Sequence, residues 1–281
     1  MNKKIIAAVS GVLLLFGGAG AISNPQVDQT VIAKVKTVIK YDRTDETKSK
    51  KIEKQNTKTE KKIVSLDKKI AKLRKQLKKY SGKTVESVSE AKLASLNYSG
   101  KDVITVNNND PKFSKSDLST SQGAWQKYGD LDGLNRVTAA NALLNESLMP
   151  NSEREPLHVD PTGWHNKRIA GGWLYNRCHL IGYQLTGQNN NIKNLMTGTR
   201  QLNDPDMLRY ENEVADYIKE SRANYVRYRV TPIFRGNELL ARGVEMEGQS
   251  TGSNAVHFNV YIFNVQNGVT LNYSDGTSRV G

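Results

Sequence analysis

The sequence predicts an α+β fold for the part of the chain that begins near residue 95. Apolar residues recur at helical spacing over about 206–222, which indicates an amphipathic helix. Three segments rich in β-branched and aromatic residues follow this helix, and a turn at Arg235-Gly236-Asn237 between the first two predicts an antiparallel meander. These segments are 225–234, 238–247 and 257–264. Because strands and helices do not alternate regularly, the pattern does not fit a doubly wound α/β sheet.

Upstream of the amphipathic helix, the sequence predicts two more strands and a second helix. Residues 102–106 predict a strand that is closed by a turn-rich segment. Clustered apolar residues predict a helix over about 133–145. Residues 171–175 predict a short strand that emerges from a glycine turn. Pro232 indicates that the 225–234 strand lies at a sheet edge or contains a bulge.

Residues 1–23 have the pattern of a secretory signal or membrane anchor. Lys3 and Lys4 precede an uncharged run from Ile5 to Ile22 that contains the small-residue tripeptide Ala19-Gly20-Ala21. Cleavage after the tripeptide would release the protein, whereas a run of about 18 residues is near the lower limit for a retained anchor. We therefore expect an extracellular protein, either secreted or held at the outer face of the cell membrane.

Residues 24–94 form a predicted basic linker with a short coiled-coil-like helix. Residues 1–80 contain 20 Lys and Arg against 7 Asp and Glu, so they account for the whole net charge of +13. The 3-4 spacing of a coiled-coil seam is followed by Ile63, Leu66, Ile70, Leu73 and Leu77. Extended backward, the same register meets Asn56 and Thr59, so the apolar seam is short. Three interpretations remain: a solvated stalk, self-association through 52–80, and a basic arm that binds nucleic acid or an anionic surface.

Among the four histidines, His179 has the sequence neighbourhood that indicates a catalytic role. It follows a predicted strand and precedes an Asn-rich loop, and Arg177 lies two residues before it. Alternation in an extended segment would place the Arg177 and His179 side chains on one face. The guanidinium can bind a phosphate bidentately and lowers the pKa of a neighbouring imidazole, which then stays neutral and accepts a proton from water.

A wider set of polar residues resembles the DNA/RNA non-specific endonuclease family. The matching segments, in order, are Asn176-Arg-Cys-His179, Lys193-Asn194-Leu195, Leu202-Asn203 and Glu211-Asn-Glu213. These proteins are ββα-metal, or His-Me finger, nucleases with an Asp-Arg-Gly-His hallmark. The segment 175–218 is similar to the extracellular streptodornase and DNA-entry nuclease type. The resemblance covers residues 95–281 and implies a ββα-metal nuclease core with an antiparallel sheet.

The resemblance also implies a role for each matching residue. His179 would be the general base that activates water, and Asn203 would be the direct ligand of a Mg²⁺ ion, or of Mn²⁺ in its place. Glu211 would hold the hydration shell of the ion. Asn194 would orient the site, and Arg177 would brace the phosphate or the nearby strand. Mg²⁺ keeps most of its waters, so one or two protein oxygens are enough to hold it.

Two positions depart from the hallmark, and three cations are additional candidates. Asn176 replaces the usual Asp, which removes a charge, and Cys178 replaces the usual Gly; we interpret Cys178 as a small buried residue. Lys167, Arg168 and Arg200 are candidate contacts to the nucleic-acid backbone. The three tryptophans are interpreted as core residues rather than stacking platforms.

The function expected from the sequence is an exported, Mg²⁺-dependent, sequence-nonspecific endonuclease that hydrolyses DNA or RNA. The alternative is a cell-surface nucleic-acid-binding or adhesive protein without catalytic activity. The departures at positions 176 and 178 keep this alternative open. The sequence contains no feature that recognises a 2′-hydroxyl, so it does not separate DNA from RNA.

Overall fold

The computed structural model describes residues 44–80 and 88–281. The predicted signal or anchor at 1–23 lies outside these residues. Within the described ranges, no helix combines the length and the apolar character needed to cross a bilayer. The chain divides into two units after Glu60, inside the first helix.

Helix α1, Thr44–Tyr80, is a single 37-residue helix. It carries 14 Lys and Arg against 5 Asp and Glu, and nearly all of its described side chains are exposed. The sequence contains no Gly or Pro in this range, so nothing in it breaks the helical backbone. The helix predicted within the basic linker is therefore present, and it is longer than the apolar seam.

A six-stranded antiparallel sheet forms the frame of the folded domain. Its strand order is β1-β10-β9-β8-β3-β2, with the meander of three long strands at its centre, as predicted. The strands are β1 (Val103–Thr105), β2 (Trp125–Tyr128), β3 (Ala140–Leu144), β8 (Val226–Ile233), β9 (Gly243–Ser250) and β10 (His257–Phe263). The first and third meander strands agree with the predicted segments, and the second begins at Gly243 rather than at residue 238.

The predicted helix at 133–145 is wrong. Asn135 has a positive φ within a turn closed by Asp132, and the chain then enters β3, which pairs with β2 on one side and β8 on the other. Ala140, Ala142 and Leu144 face the core, which is the two-residue alternation expected of a strand. Clustered apolar residues alone do not separate a short buried strand from a helix.

Pro232 is also not on an edge strand, because β8 lies between β3 and β9. The pairing of β8 with β3 ends at Val230, so the backbone at Pro232 needs no N–H donor on that side. The proline therefore marks the point at which a central strand extends beyond a shorter neighbour.

The two faces of the sheet bury different side chains. One face packs its apolar side chains against helix α4 (Leu208–Glu220) and the hairpin of β6 (Tyr175–His179) and β7 (Leu195–Thr199). The opposite face carries charged residues, of which Arg227 lies beneath the rings of Phe113 and Trp125. The catalytic candidates all lie on the first side or in the loops that lead to it.

The remaining elements are short. They are α2 (Glu90–Ala94), α3 (Tyr183–Thr186), the hairpin of β4 (Arg168–Ile169) and β5 (Gly172–Trp173), and the hairpin of β11 (Val269–Leu271) and β12 (Ser278–Val280). Leu93 of α2 is buried with Val106, Ile233, Tyr261 and Phe263. The packed domain thus includes residues ahead of position 95, where the sequence predicted its start.

Candidate active site

The candidate site is built on the β6–β7 hairpin and the helix that follows it. The strands pair in register from Tyr175 with Thr199 to His179 with Leu195, so His179 is the last residue of β6. Cys178 points to the opposite face, into the main core, and is fully buried, which confirms its interpretation as a buried residue. Burial raises the pKa of this thiol, so it is not a reactive thiolate.

The ring of His179 is held in one tautomer by two neighbours. Its Nε2 lies 2.7 Å from the Asn189 carbonyl oxygen, and its Nδ1 lies 3.4 Å from a terminal nitrogen of Arg154. A carbonyl oxygen can only accept, so the ring proton lies on Nε2, and the lone pair lies on Nδ1. The atom available to accept a proton is therefore Nδ1.

The surroundings keep this ring neutral. Burial and, to a smaller extent, the positive charge of Arg154 lower the pKa of His179 to about 4, while the hydrogen bond to the Asn189 carbonyl oxygen opposes this shift. Only 6% of the residue is exposed. At neutral pH the imidazole is consequently unprotonated, which is the form that a general base requires.

The cation beside His179 is Arg154 and not Arg177. The Arg177 guanidinium donates to the Val159 carbonyl oxygen and to the Asp160 carboxylate, and it stacks over the Trp164 ring at 4.6 Å. Its planar group is satisfied by the 159–164 loop, so it braces that loop. The expected Arg177–His179 pair is thus not formed. Arg154 lies 25 positions before His179, and no motif or spacing in the sequence indicates that the two side chains are neighbours.

Asn194 fixes the turn that follows His179. Its amide nitrogen donates to the Ile181 carbonyl oxygen and its amide oxygen accepts from the Ile181 N–H, both at 2.9 Å. The Asn194 carbonyl oxygen also accepts from Leu180 N–H. The residue is fully buried, so it orients the backbone of 180–181 and does not face solvent.

Glu211 reaches the same turn from the first turn of α4. A Cβ atom on Gly182 would lie 2.5 Å from Glu211 Oε2, so the carboxylate approaches the backbone where only glycine leaves room. Burial raises the pKa of Glu211 to about 7, opposed by hydrogen bonds from Gln184 and Gly182 and by the charge of Arg154. Arg154 acts on both His179 and Glu211, so these two side chains share one electrostatic environment.

Asn203 lies in an irregular helical turn, Leu202–Met207, that leads into α4. Asp204 has an extended backbone within this turn, and Pro205 follows it, so Asn203 and Glu211 do not lie on one regular helix. Asn203 is partly exposed, and its side chain forms no hydrogen bond with any residue that the structure describes.

The donor set fits a hydrated hard cation. Among the described residues, no three His, Cys, Asp or Glu side chains are placed to enclose a metal ion. The Asn203 amide oxygen, which has no hydrogen-bond partner among the described residues, and the buried Glu211 carboxylate are oxygen donors of the type that Mg²⁺ prefers. A buried carboxylate with a raised pKa also gains from a nearby cation, since positive charge favours its ionised form.

The three additional cations differ in their availability. Lys167 donates its ammonium to the Ser278 carbonyl oxygen of β12, which ties the hairpin of β4 and β5 to the C-terminal strand. Arg168 and Arg200 are exposed, and the Arg168 guanidinium stacks over Trp173 at 4.3 Å. Trp173 is itself 46% exposed, so its interpretation as a core residue is wrong.

Residues 118–252, which contain this geometry, match the family model described as DNA/RNA non-specific endonuclease. These residues form a domain of the DNA/RNA non-specific endonuclease family. The match spans β2 to β9 and includes the hairpin that carries His179, together with α4. The family indicated by the sequence pattern is confirmed.

Two streptococcal proteins are similar to this chain. A "Deoxyribonuclease" of Streptococcus dysgalactiae subsp. equisimilis is 25% identical over a match that covers 53% of this chain and 59% of that protein. The chain thus spans less than two thirds of the length of this curated relative. NucA of Streptococcus agalactiae, solved without metal, has a TM-score of 0.59 at 24% identity, covering 68% of this chain and 94% of NucA. The magnesium-bound NucA structure has a TM-score of 0.58 at 24% identity, covering 67% and 92%. The two structures confirm the mixed helix and antiparallel-sheet fold.

Proposed function

We propose that the protein is an exported, Mg²⁺-dependent, sequence-nonspecific endonuclease that hydrolyses DNA, with His179 as its general base. The observation that carries the proposal is the hydrogen bonding of the buried His179 ring. Its Nε2 faces the Asn189 carbonyl oxygen, which fixes the tautomer and leaves the Nδ1 lone pair facing Arg154. The family of the domain and the name of the deoxyribonuclease relative support the choice of a nucleic-acid substrate.

His179 performs the proton transfer in this proposal. Nδ1 accepts a proton from the attacking water, and the resulting imidazolium keeps its Nε2–H bond to the Asn189 carbonyl oxygen. Asn194 holds the turn at Ile181, and Arg177 holds the 159–164 loop, so both are positioning residues. Because none of these groups recognises a base, the reaction is expected to be independent of sequence.

Arg154 is assigned to the phosphate in this proposal. Its guanidinium lies at hydrogen-bond distance from the base atom of His179, where an attacking water would meet a phosphodiester. A guanidinium can donate two parallel hydrogen bonds to phosphate oxygens, which orients the phosphorus relative to the water. Binding of the phosphate would also draw Arg154 away from Nδ1 and free its lone pair.

Asn203 is proposed as the direct ligand of Mg²⁺ and Glu211 as the acceptor for the waters of the ion. When bound, the ion supplies positive charge that stabilises the phosphate and the leaving oxygen. The same oxygen donors suit Mn²⁺. A magnesium ion is present in one of the two NucA structures that share this fold. Burial and the contact with Gly182 fix the Glu211 carboxylate at this position.

The exposed surface before β6 is proposed to bind the nucleic-acid backbone beyond the cleaved bond. Arg168 and Arg200 are free to contact phosphates, whereas Lys167 serves mainly to hold the β4–β5 hairpin. RNA remains a second substrate, since phosphate contacts do not separate the two polymers. Export rests on the signal pattern at 1–23, and retention of that segment would anchor the enzyme to the membrane.

A plasmid-cleavage assay with Mg²⁺ tests the proposal. The wild-type chain should convert supercoiled plasmid into fragments of many lengths, and EDTA should stop the conversion. His179→Ala should reduce the rate by about a thousandfold or more, because the general base is lost. His165→Ala is the matched control, since His165 is exposed in a loop, and it should retain full activity.

Cleavage by His179→Ala at the wild-type rate would refute the assigned base. A wild-type chain that binds plasmid but does not cut it with Mg²⁺ or Mn²⁺ would favour the alternative of a cell-surface binding protein. Parallel assays on duplex DNA, single-stranded DNA and RNA would define the substrate.

A further inference from the structure

Helix α1 exposes a row of large apolar side chains that no described residue covers. The exposed fractions are 55% for Ile52, 50% for Ile63, 47% for Leu66, 42% for Ile70 and 62% for Leu73. Burial of apolar side chains of this size is favourable, so an exposed row of them favours contact with another apolar surface. All five lie on the 3-4 register of a heptad repeat, with Ile52, Leu66 and Leu73 at d and Ile63 and Ile70 at a.

The residue types in this register favour two strands. Isoleucine at a combined with leucine at d is the pattern of parallel dimers. Asn56 occupies the a position of the preceding heptad, and a single buried Asn at a specifies both the register and the two-stranded state. Asn56, one of the two polar residues that interrupt the apolar seam, is therefore consistent with a two-stranded coil.

The charges that flank the seam select the relative direction of the two helices. In a parallel pair, a g residue of one copy faces the e residue five positions later in the other copy. This arrangement sets Lys48 opposite Glu53 and Lys62 opposite Asp67, in each case twice per dimer. It also sets Lys69 opposite the basic position 74, which is the one unfavourable pairing in the described helix.

An antiparallel pair would face g with g and e with e. The charged g positions hold Lys48, Lys62 and Lys69, whereas the e positions hold Glu53, Glu60 and Asp67 before the basic position 74. Like charges would then meet along both flanks of most of the seam, which is destabilising. We propose that α1 binds a second copy of this chain as a parallel, in-register two-stranded coiled coil. The two copies leave the coil at the same end, so each particle contains two endonuclease domains.

The proposal also specifies how salt affects the assembly. Each helix carries a net charge of +9, so the two copies repel each other apart from the paired g and e residues. Added salt screens this repulsion, because the Debye length falls from about 10 Å at 0.1 M to about 3 Å at 1 M. The dimer should consequently become tighter as NaCl rises, in contrast to contacts with nucleic acid, which weaken.

Single cysteines in the exported full chain test the direction of the helices. Ile52→Cys and Leu73→Cys should each form a covalent dimer when oxidised alone, because a parallel coil sets each d residue beside its copy. The native Cys178 is fully buried and should form none. Lys68→Cys, at an outward f position, is the matched control and should remain monomeric on a denaturing gel. Cross-linking that appears only when the two variants are mixed, at Lys68→Cys equally, or at no position would overturn the proposal.

Sedimentation of the same chain tests the number of copies. A mass of two chains is expected, and Leu66→Ala should weaken the dimer by at least about tenfold in Kd through the loss of buried apolar contact. Asn56→Ile should tighten association and yield more than one oligomeric state. A single-chain mass at all concentrations and salt levels, or a trimer of the wild type, would contradict the proposal. Neither experiment depends on whether the domain cleaves nucleic acid.

Discussion

Helix α1 and the endonuclease domain use charged residues in opposite ways. In α1 the charges are mostly of one sign and account for a large share of the net charge of the chain, and nearly all of the charged side chains that the structure describes there are exposed. In the domain, many charged side chains contact a specific group, as Arg177 does with Asp160 and Glu211 does with Gly182. The net charge of α1 therefore favours long-range attraction of polyanions, whereas the charged groups around His179 are few and individually positioned by specific contacts.

Removing Arg154 should have the largest effect among changes that leave His179 in place. Arg154→Ala removes the proposed phosphate contact, so kcat should fall by about a hundredfold or more. The pKa of His179 should rise above about 4, because a neighbouring positive charge no longer opposes protonation. Plasmid kinetics and an NMR titration of the His179 ring measure the two effects. The activity of His179 as a base should then be lost at a higher pH than in the wild type as the solution is acidified.

Arg222→Ala is the matched control for this variant, because the Arg222 side chain is 92% exposed and its ion pair within the described part of the chain is with Glu146. It should change neither kcat nor the titration. If Arg154→Ala cut DNA at the wild-type rate, Arg154 would belong with the solvated charges of α1 rather than with the positioned charges of the site.

Enlarging Gly182 should give the next largest effect. The Cβ atom of Gly182→Ala would lie within 3 Å of the Glu211 carboxylate, which must move while the core around it stays packed. Activity should fall by roughly tenfold to a hundredfold, and the Mg²⁺ concentration for half-maximal rate should rise, as expected for a displaced group around a metal. Gly133→Ala, where a Cβ would meet nothing within 4 Å, is the control. An unchanged Mg²⁺ dependence in Gly182→Ala would show that Glu211 does not hold the ion.

Neutralising charge on α1 should have the smallest effect. Lys68→Gln, Lys72→Gln and Lys75→Gln together change outward positions and leave the apolar seam intact. Because these lysines would contact phosphates only nonspecifically, KM for DNA should rise by about twofold to fivefold at low salt and kcat should not change. The difference should disappear as NaCl is raised. A loss of kcat would mean that the helix takes part in the catalytic step, which the contrast between the two regions does not allow.

Sequence periodicity was sufficient where an element's own residues decide its structure. The meander and helix α4 were predicted because their apolar residues repeat at periods of 2 and 3.6 over long segments. The segment at 133–145 does not form the predicted helix, because its strand β3 is defined by pairing with β2 and β8. Of these two partners, β8 is distant from β3 in sequence. The sequence predicts Trp173 in the core, whereas the residue lies on a two-residue strand, is 46% exposed and is covered by the Arg168 guanidinium.

The site shows the same division between local and distant information. His179, Asn194 and Glu211 follow one another in the order of the family pattern, and the structure brings all three to the turn at 179–182. Arg154 could not be identified in this way, since it approaches His179 from a loop with no motif of its own. Arg177, adjacent in sequence and expected beside the histidine, is instead held by Asp160.

The sequence by itself determined the family, the antiparallel meander, the helix after it and the separation of a basic segment from a neutral domain. These features depend on residue order and short-range periodicity, which are complete in the linear chain. Only the tertiary structure decided the tautomer of His179, the cation that accompanies it and the burial that raises the pKa of Glu211 to about 7. Those properties depend on dielectric surroundings and on atoms contributed by distant segments, and both exist only after the chain has packed.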